Sequence, residues 1–170
     1  MPVTRLTEEF FRRPCDVVAR DLVGKVIVHN NIRLRISETE VYWGQSDTAC
    51  HASKGKTSRS EVLWASPGTI YVYLCYGMHW MFNLVTGQEG DPQAVLIRAC
   101  LEAPGPGKLT RALGITKDYN RQSILTTPHL WIEDDGFSCQ IVADTRVGIG
   151  YASPEDQARL WRFKIGKVFN

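Results

Sequence analysis

No apolar run in the 170 residues approaches the roughly 20 that a membrane-spanning helix needs, so a helical span is excluded. The opening residues, MPVTRLTEEFFRRP, are charged and lack an apolar core. They do not read as a secretory leader, which predicts a cytoplasmic or nucleoid location. Cysteine is sparse and scattered. The five residues stand at 15, 50, 75, 100 and 139, with no C-x-x-C pair and no grouping with the four histidines. A disulfide scaffold and a zinc site are both argued against, and reduced, mostly buried thiols are expected. Neither sign of charge dominates: 20 basic residues face 18 acidic ones. A net charge of +2 neither requires nor excludes a nucleic-acid partner, because a local basic face suffices for phosphate contact. Such sets exist at Lys54, Lys56 and Arg59, and at Arg159, Arg162, Lys164 and Lys167, although a charge run is usually just a solvated face. There is no internal repeat, low-complexity tract or linker, so residues 1–170 are expected to form one domain.

The elements that are present alternate short helices with hairpins. Thr7 to Arg13 reads as a helix capped by Thr7 and ended by Pro14, and Asp16 to Val23 as a second closed by Gly24. Residues 25–29 and 32–42 flank Asn30-Asn31, a two-residue hairpin turn. Residues 43–67 form a long irregular loop of functional type. Residues 68–86 read as a second hairpin turning near Tyr76-Gly77, and 94–103 as a continuous apolar, central strand. A short helix is expected over 107–115, with late strands near 130–133 and 140–143. The predicted fold is α+β: a curved, mostly antiparallel sheet or partly open barrel with flanking short helices.

One strand raises a chemical question. Ile32, Leu34 and Ile36 alternate, and the same period then places Glu38, Glu40 and Tyr42 on that face. A carboxylate at the end of an apolar face is either entering water or being used, since burial without a partner is costly. Tyr71, Tyr73 and Tyr76 lie in the next hairpin and His51 in the loop between. Each alone reads as packing. Together with the acids they can build an aromatic slot for a flat, π-rich ligand such as a nucleobase.

The blocks ETEVYWG, HASKGKTSR, PGTIYVYLCYGMHWMFN, AVLIRAC and GPGKLTRALGI resemble the alkyladenine (methylpurine) DNA glycosylase family, in that family's order and spacing, over most of residues 5–150. The resemblance implies a monofunctional enzyme of base excision repair. It would flip damaged purines (alkylated adenine and guanine, hypoxanthine, ethenoadenine) out of double-stranded DNA and hydrolyse the N-glycosidic bond, leaving an abasic site. Glu40 matches the general base that activates water, and Arg98 the arginine that orients acid and water. Tyr42, His51 and Tyr73 match the residues that sandwich the flipped base, with Cys50 beside them. Asn83 matches the side chain that clashes with the guanine amine. Tyr76 matches the wedge that fills the gap left in the helix. Lys54, Thr57, Arg59, Met78, Lys108, Arg146 and Gly148 resemble DNA-backbone contacts. No metal or cofactor is implied, no membrane, and a monomer is expected.

The chain departs from the family pattern at Cys50, at Ser60 with the following EVLW, and in its minimal loop between Glu102 and Gly105. These departures bear on lesion preference. Glu38 carries no role from the resemblance and reads as structural. Arg98, inside an apolar strand, requires a carboxylate partner, either Glu40 or Glu38. Two rivals stand beside this reading. One is a non-catalytic nucleic-acid-binding barrel with the tyrosines as platforms. The other, weaker, is a glycoside hydrolase using Glu38 and Glu40.

Overall fold

The computed structural model of the chain describes residues 2–169. A short strand, Thr4–Arg5 (β1), precedes two helices, Glu8–Phe11 (α1) and Cys15–Leu22 (α2). Thr7 holds the extended cap position of α1, but its side chain makes no capping hydrogen bond. Strands Val26–His29 (β2) and Ile32–Tyr42 (β3) form the first hairpin, with His29 opposite Ile32. Asn30 takes φ +55° in its turn, a conformation asparagine tolerates. The 43–67 segment is not wholly irregular: it holds three short 3-10 turns, at 44–46, 51–54 and 60–64. Then come Ile70–Cys75 (β4), His79–Thr86 (β5), Gln93–Cys100 (β6) and Pro106–Leu113 (α3). The chain continues through Leu130–Asp134 (β7), Cys139–Asp144 (β8), Pro154–Ala158 (α4) and Arg162–Val168 (β9).

The strands join in one antiparallel sheet in the order β1-β7-β2-β3-β6-β5-β4, with β9 added against β3 and β8 against β9. The ends of this path do not pair, so the sheet is open, as the α+β expectation has it. Its core packs α2 and α3 on the sheet through residues such as Leu22, Ile36, Phe82, Ile97 and Leu109, joined by Phe11 of α1. All five cysteines are free, and Cys15, Cys50 and Cys100 are buried. No helix among the described residues is long and apolar enough to cross a membrane. Two elements carry no clear sequence signal: β1, only two residues long, and β9, which reads as a polar tail yet lies beside β3.

The regular alternation expected along residues 32–42 is not kept. Leu34 and Ile36 belong to the main core, but the next core-facing residues are Thr39 and Val41. Thr39 donates its hydroxyl to the Ala19 carbonyl of α2 at 2.7 Å, and Val41 is fully buried in the core. The pairing with β6 explains the change. Ile36 opposes Cys100, Glu38 opposes Ala99, and Thr39 opposes Ile97. Ser37 is therefore extra on β3 and Arg98 extra on β6. One inserted residue reverses which face every later side chain takes. Glu38, Glu40 and Tyr42 thus lie opposite the face of Leu34 and Ile36, which corrects the single-face reading. On β6 the core set likewise passes from Val95 and Ile97 to Cys100, which turns Arg98 away from the core.

Helix α3 presses on the turn end of the second hairpin. At Gly107 in its first turn, an added Cβ would overlap the ring of His79, the first residue of β5. Gly107→Ala is expected to cost about 1–3 kcal/mol through overpacking, read as a lower denaturation midpoint at unchanged m-value.

Candidate active site

Glu40 is fully buried, and four donors surround its carboxylate. Oε1 accepts the Tyr42 hydroxyl at 2.9 Å and Arg98 Nη1 at 3.4 Å. Oε2 accepts the Val147 N–H at 2.8 Å and lies 3.3 Å from Arg98 Nε. Of the two acids, Glu40 is thus the partner that Arg98 requires. Burial pushes the Glu40 carboxyl above its usual range, opposed by the Arg98 charge, the Val147 N–H and the Tyr42 hydroxyl. Burial, with the Glu40 charge next in size, also pushes the Tyr42 phenol well up, so it remains a neutral donor.

Beyond Tyr42 lies a narrow slot of about 310 Å³ counted together with the solvent at its open side. It is lined by Tyr42, Cys50, His51, Tyr73 and Asn83 together with Ala49, Leu63, Tyr71, Ala94 and Tyr151. The structure therefore brings together all five residues expected to bind the base. His51 and Tyr73 touch each other, with ring centroids 4.6 Å apart, and Tyr71 stacks obliquely on Tyr73 at 5.2 Å. His51 Nδ1 shares a 2.7 Å hydrogen bond with the Tyr71 hydroxyl. Burial first, then the nearby Arg59 and Lys54 charges, bring the imidazole down to about 4, so it is uncharged at neutral pH. Asn83 is buried and its amide donates to the Tyr71 and Met81 carbonyls at 3.2 and 3.4 Å. Burial raises the Cys50 thiol to about 11, which keeps it protonated. Glu40 itself is not part of this lining. It reaches the slot only through the Tyr42 hydroxyl, whereas the sequence reading has the acids help to build the slot.

Glu38 serves another contact. Its Oε2 accepts Arg162 Nη1 of β9 at 3.2 Å, while the same guanidinium holds the Thr145 carbonyl and Asp144. Tyr76 is at the tip of the β4–β5 hairpin, 86% exposed at φ +53°, with Met78 exposed beside it. Lys54, Thr57 and Arg59 are exposed on the loop next to the slot. Thr57 and Ser60 exchange backbone-to-hydroxyl bonds of 2.9 and 3.1 Å, which gives Ser60 a defined place in that turn. Lys108 is exposed in the first turn of α3, and Gly148 is exposed at φ +73°.

Arg146 does not fit the expected role at the DNA backbone. Its side chain has no exposed surface and grips Asp47 through two bonds, of 2.7 and 3.0 Å. A guanidinium so enclosed has no exposed face to offer a phosphate. Sequence reasoning also missed Tyr151 and the Val147 N–H. Tyr151 lines the slot and donates its hydroxyl to the Ala49 carbonyl at 2.9 Å. Both lie in an irregular segment more than a hundred residues from Glu40, where spacing carries no signal. Tyr71 was visible only as a member of the tyrosine cluster.

Comparison with known proteins gives a consistent picture. The family model for methylpurine-DNA glycosylase matches residues 9–104 and 100–168. A Methanocella arvoryzae protein, provisionally named a 3-methyladenine DNA glycosylase, is 44% identical over 187 aligned residues, covering 96% of this chain and 92% of the relative. A similarly named Wolbachia pipientis protein is 41% identical, covering 96% and 93%. One from Anaeromyxobacter dehalogenans is 43% identical, covering 95% and 83%.

The neutral His51 has a consequence for stability. Its folded-state value is depressed, so as pH falls the unfolded chain takes up the proton first. Stability is then full above about 6.5 and is lost as pH falls to about 4. His51→Gln is expected to lose less melting temperature than wild type between pH 7 and pH 5. Equal losses in calorimetry would rule out a buried neutral imidazole.

Proposed function

The chain belongs to the methylpurine-DNA glycosylase family of DNA repair hydrolases, which act on N-glycosidic bonds, and from that premise we propose that it excises damaged purines from duplex DNA using a water activated by Glu40. The observation that carries this reading is a fully buried carboxylate, bound by Arg98 and Tyr42, directly behind a neutral aromatic slot. Alkylated adenine and guanine, hypoxanthine and ethenoadenine are the proposed lesions, and the enzyme acts as a monomer.

Flipping a nucleotide costs a few kcal/mol of stacking, least at a damaged or mispaired base. Tyr76 enters the duplex at the vacated position and offsets part of that cost, with Met78 on the flanking backbone. The flipped base enters between the rings of Tyr42, His51 and Tyr73, with Cys50 and Asn83 at its edge. The Asn83 amide, held by two carbonyls, is in position to oppose a guanine amine. Lys54, Thr57, Arg59, Lys108 and Gly148 hold the sugar-phosphate backbone without reading sequence.

The chemical step follows from how the carboxylate is occupied. A carboxylate has about four acceptor sites, and here four donors point at it. The two from Arg98 are the longest, at 3.4 and 3.3 Å, and are the ones that yield. A water entering between Arg98 and Glu40 keeps the arginine charge near the acid. As its oxygen bonds to the sugar C1′ and its proton passes to the carboxylate, the N-glycosidic bond breaks and its electrons leave with the purine. The purine departs neutral from a cationic alkylated base, and after ring protonation from a neutral lesion such as hypoxanthine. The negative carboxylate also stabilises positive charge developing on the sugar. Since burial raises the carboxyl, the acidic limb of the rate profile is expected above the ordinary glutamate range near 4.3.

Glu40→Gln is expected to retain lesion binding and to slow base release by about 10²–10⁴-fold in single-turnover assays. Release at the wild-type rate would sink the assignment and favour a binding module. The charged groups nearest Glu40 are the guanidiniums of Arg98 and Arg146, which form no Schiff base, so we propose hydrolysis without strand cleavage. Borohydride is accordingly expected to trap no protein–DNA adduct, and a covalent band on a denaturing gel would contradict a monofunctional enzyme.

A further inference from the structure

We propose that the buried Asp47–Arg146 ion pair is a positioning device for Glu40, acting through the peptide N–H of Val147 and the carbonyl of Val41. The proposal rests on the reading of Glu40 as the general base. Both side chains of the pair have no exposed surface. Arg146 Nη1 bonds Asp47 Oδ2 at 2.7 Å and the Val41 carbonyl at 2.9 Å. Its Nη2 bonds Asp47 Oδ1 at 3.0 Å and the Asp156 carbonyl at 3.2 Å. Asp47 in turn accepts the N–H groups of Trp43 and Ala49. Val41 sits between Glu40 and Tyr42, and Val147 directly follows Arg146. One guanidinium therefore fixes the main chain on both sides of the catalytic carboxylate, and the 2.8 Å bond from Val147 to Glu40 depends on it.

Stability alone does not account for this pair. Desolvation of two charges largely cancels their attraction, and apolar residues of similar volume often serve as well. What apolar residues cannot supply is direction. Strand β8 ends at Asp144, so Val147 lies beyond any ladder that would aim its N–H. The irregular 145–152 segment is held at Thr145 by Arg162 and at Tyr151 by the Ala49 carbonyl, but next to Val147 it is Arg146 that ties it to Val41 and Asp47. The guanidinium also lies 5.2 Å from the Tyr42 ring centroid, so the second donor to Glu40 rests on it as well.

The charged and titratable groups around Glu40 come from four places. Tyr42 is on its own strand and Arg98 on β6. Arg146 and Tyr151 come from the 145–152 segment. Arg162 of β9 opposes Glu40 in the ladder but is committed to Glu38 and Asp144. Loss of the Val147 donor removes a group that favours the ionised carboxylate, so the working pKa of Glu40 rises.

The test compares wild type, the double variant Asp47→Leu with Arg146→Met, and Val147→Pro. Single-turnover release of a methylated purine from saturating duplex is measured across pH. Both variants are expected to melt cooperatively and to bind lesion duplex. Their acidic limbs are expected to move up by about one pH unit, with release about tenfold slower below the limb. Should the double variant not unfold cooperatively, the pair maintains the fold and the proposal fails. A folded variant whose profile superimposes on that of wild type overturns it too. Glu40→Gln run alongside separates the two levels. If it stays active, the base assignment is wrong. If it is inactive while the profiles do not move, only the positioning role is wrong.

Discussion

A carboxylate with no exposed surface is the constraint on which the rest of this structure turns. Glu40 costs several kcal/mol to bury as an ion unless donors meet it. Those donors come from strand β6, from its own strand and from a loop more than a hundred residues later. Each must arrive in a defined direction, which explains features that would otherwise be liabilities. The paired irregularity at Ser37 and Arg98 interrupts two central strands. Without it, Glu40 would follow Ile36 into the apolar core and Arg98 would not meet it. The irregularity transfers acid and arginine together to the other face, so neither is ever buried alone.

This exchange of faces was the main thing that could not be read in the sequence. The hairpins were legible because their turns are local: Asn30-Asn31, and Tyr76-Gly77 with both residues at positive φ. The apolar strand from 94 and the helix from 107 were legible too, although both stop short of the expected 103 and 115, at Cys100 and Leu113. The pattern at 32–42, however, alternates without a visible break, because a serine at position 37 suits either face. A bulge changes parity through pairing with a distant strand, and pairing leaves no trace in local spacing. The aromatic slot was legible through its motif blocks. The burial of Arg146 was not, because an arginine near glycines reads as exposed until Asp47 is found against it.

The slot and its rim divide the electrostatic work. Inside, Tyr42 and Tyr73 are kept neutral by burial, and His51 is neutral for the same reason. A neutral aromatic interior presents π-faces to a ligand and sets no charge against a cationic purine. Outside, Lys54 and Arg59 stay exposed, and Arg59 rests 5.0 Å from the Tyr73 ring centroid. These two charges help to depress His51 while staying exposed on the loop next to the slot. A chain with a net charge of only +2 thus concentrates positive potential where it is useful.

The same economy holds at the hairpin tip. A wedge that enters a duplex must resist being pushed back, and a two-stranded hairpin alone is a compliant support. Here β5 is bonded to β6 along its far half, from Asn83 to Thr86, leaving the tip to β4 alone. The missing stiffness comes from α3. Gly107 allows the helix to lie directly on His79, and Thr110 donates its hydroxyl to the Trp80 carbonyl at 2.9 Å. Lys108 stands on the exposed side of that same first turn. Helix and hairpin are therefore in direct contact, and the turn that carries the lysine lies against the strand that leaves the tip. The hairpin tip is supported in this way at the cost of a glycine in a helix.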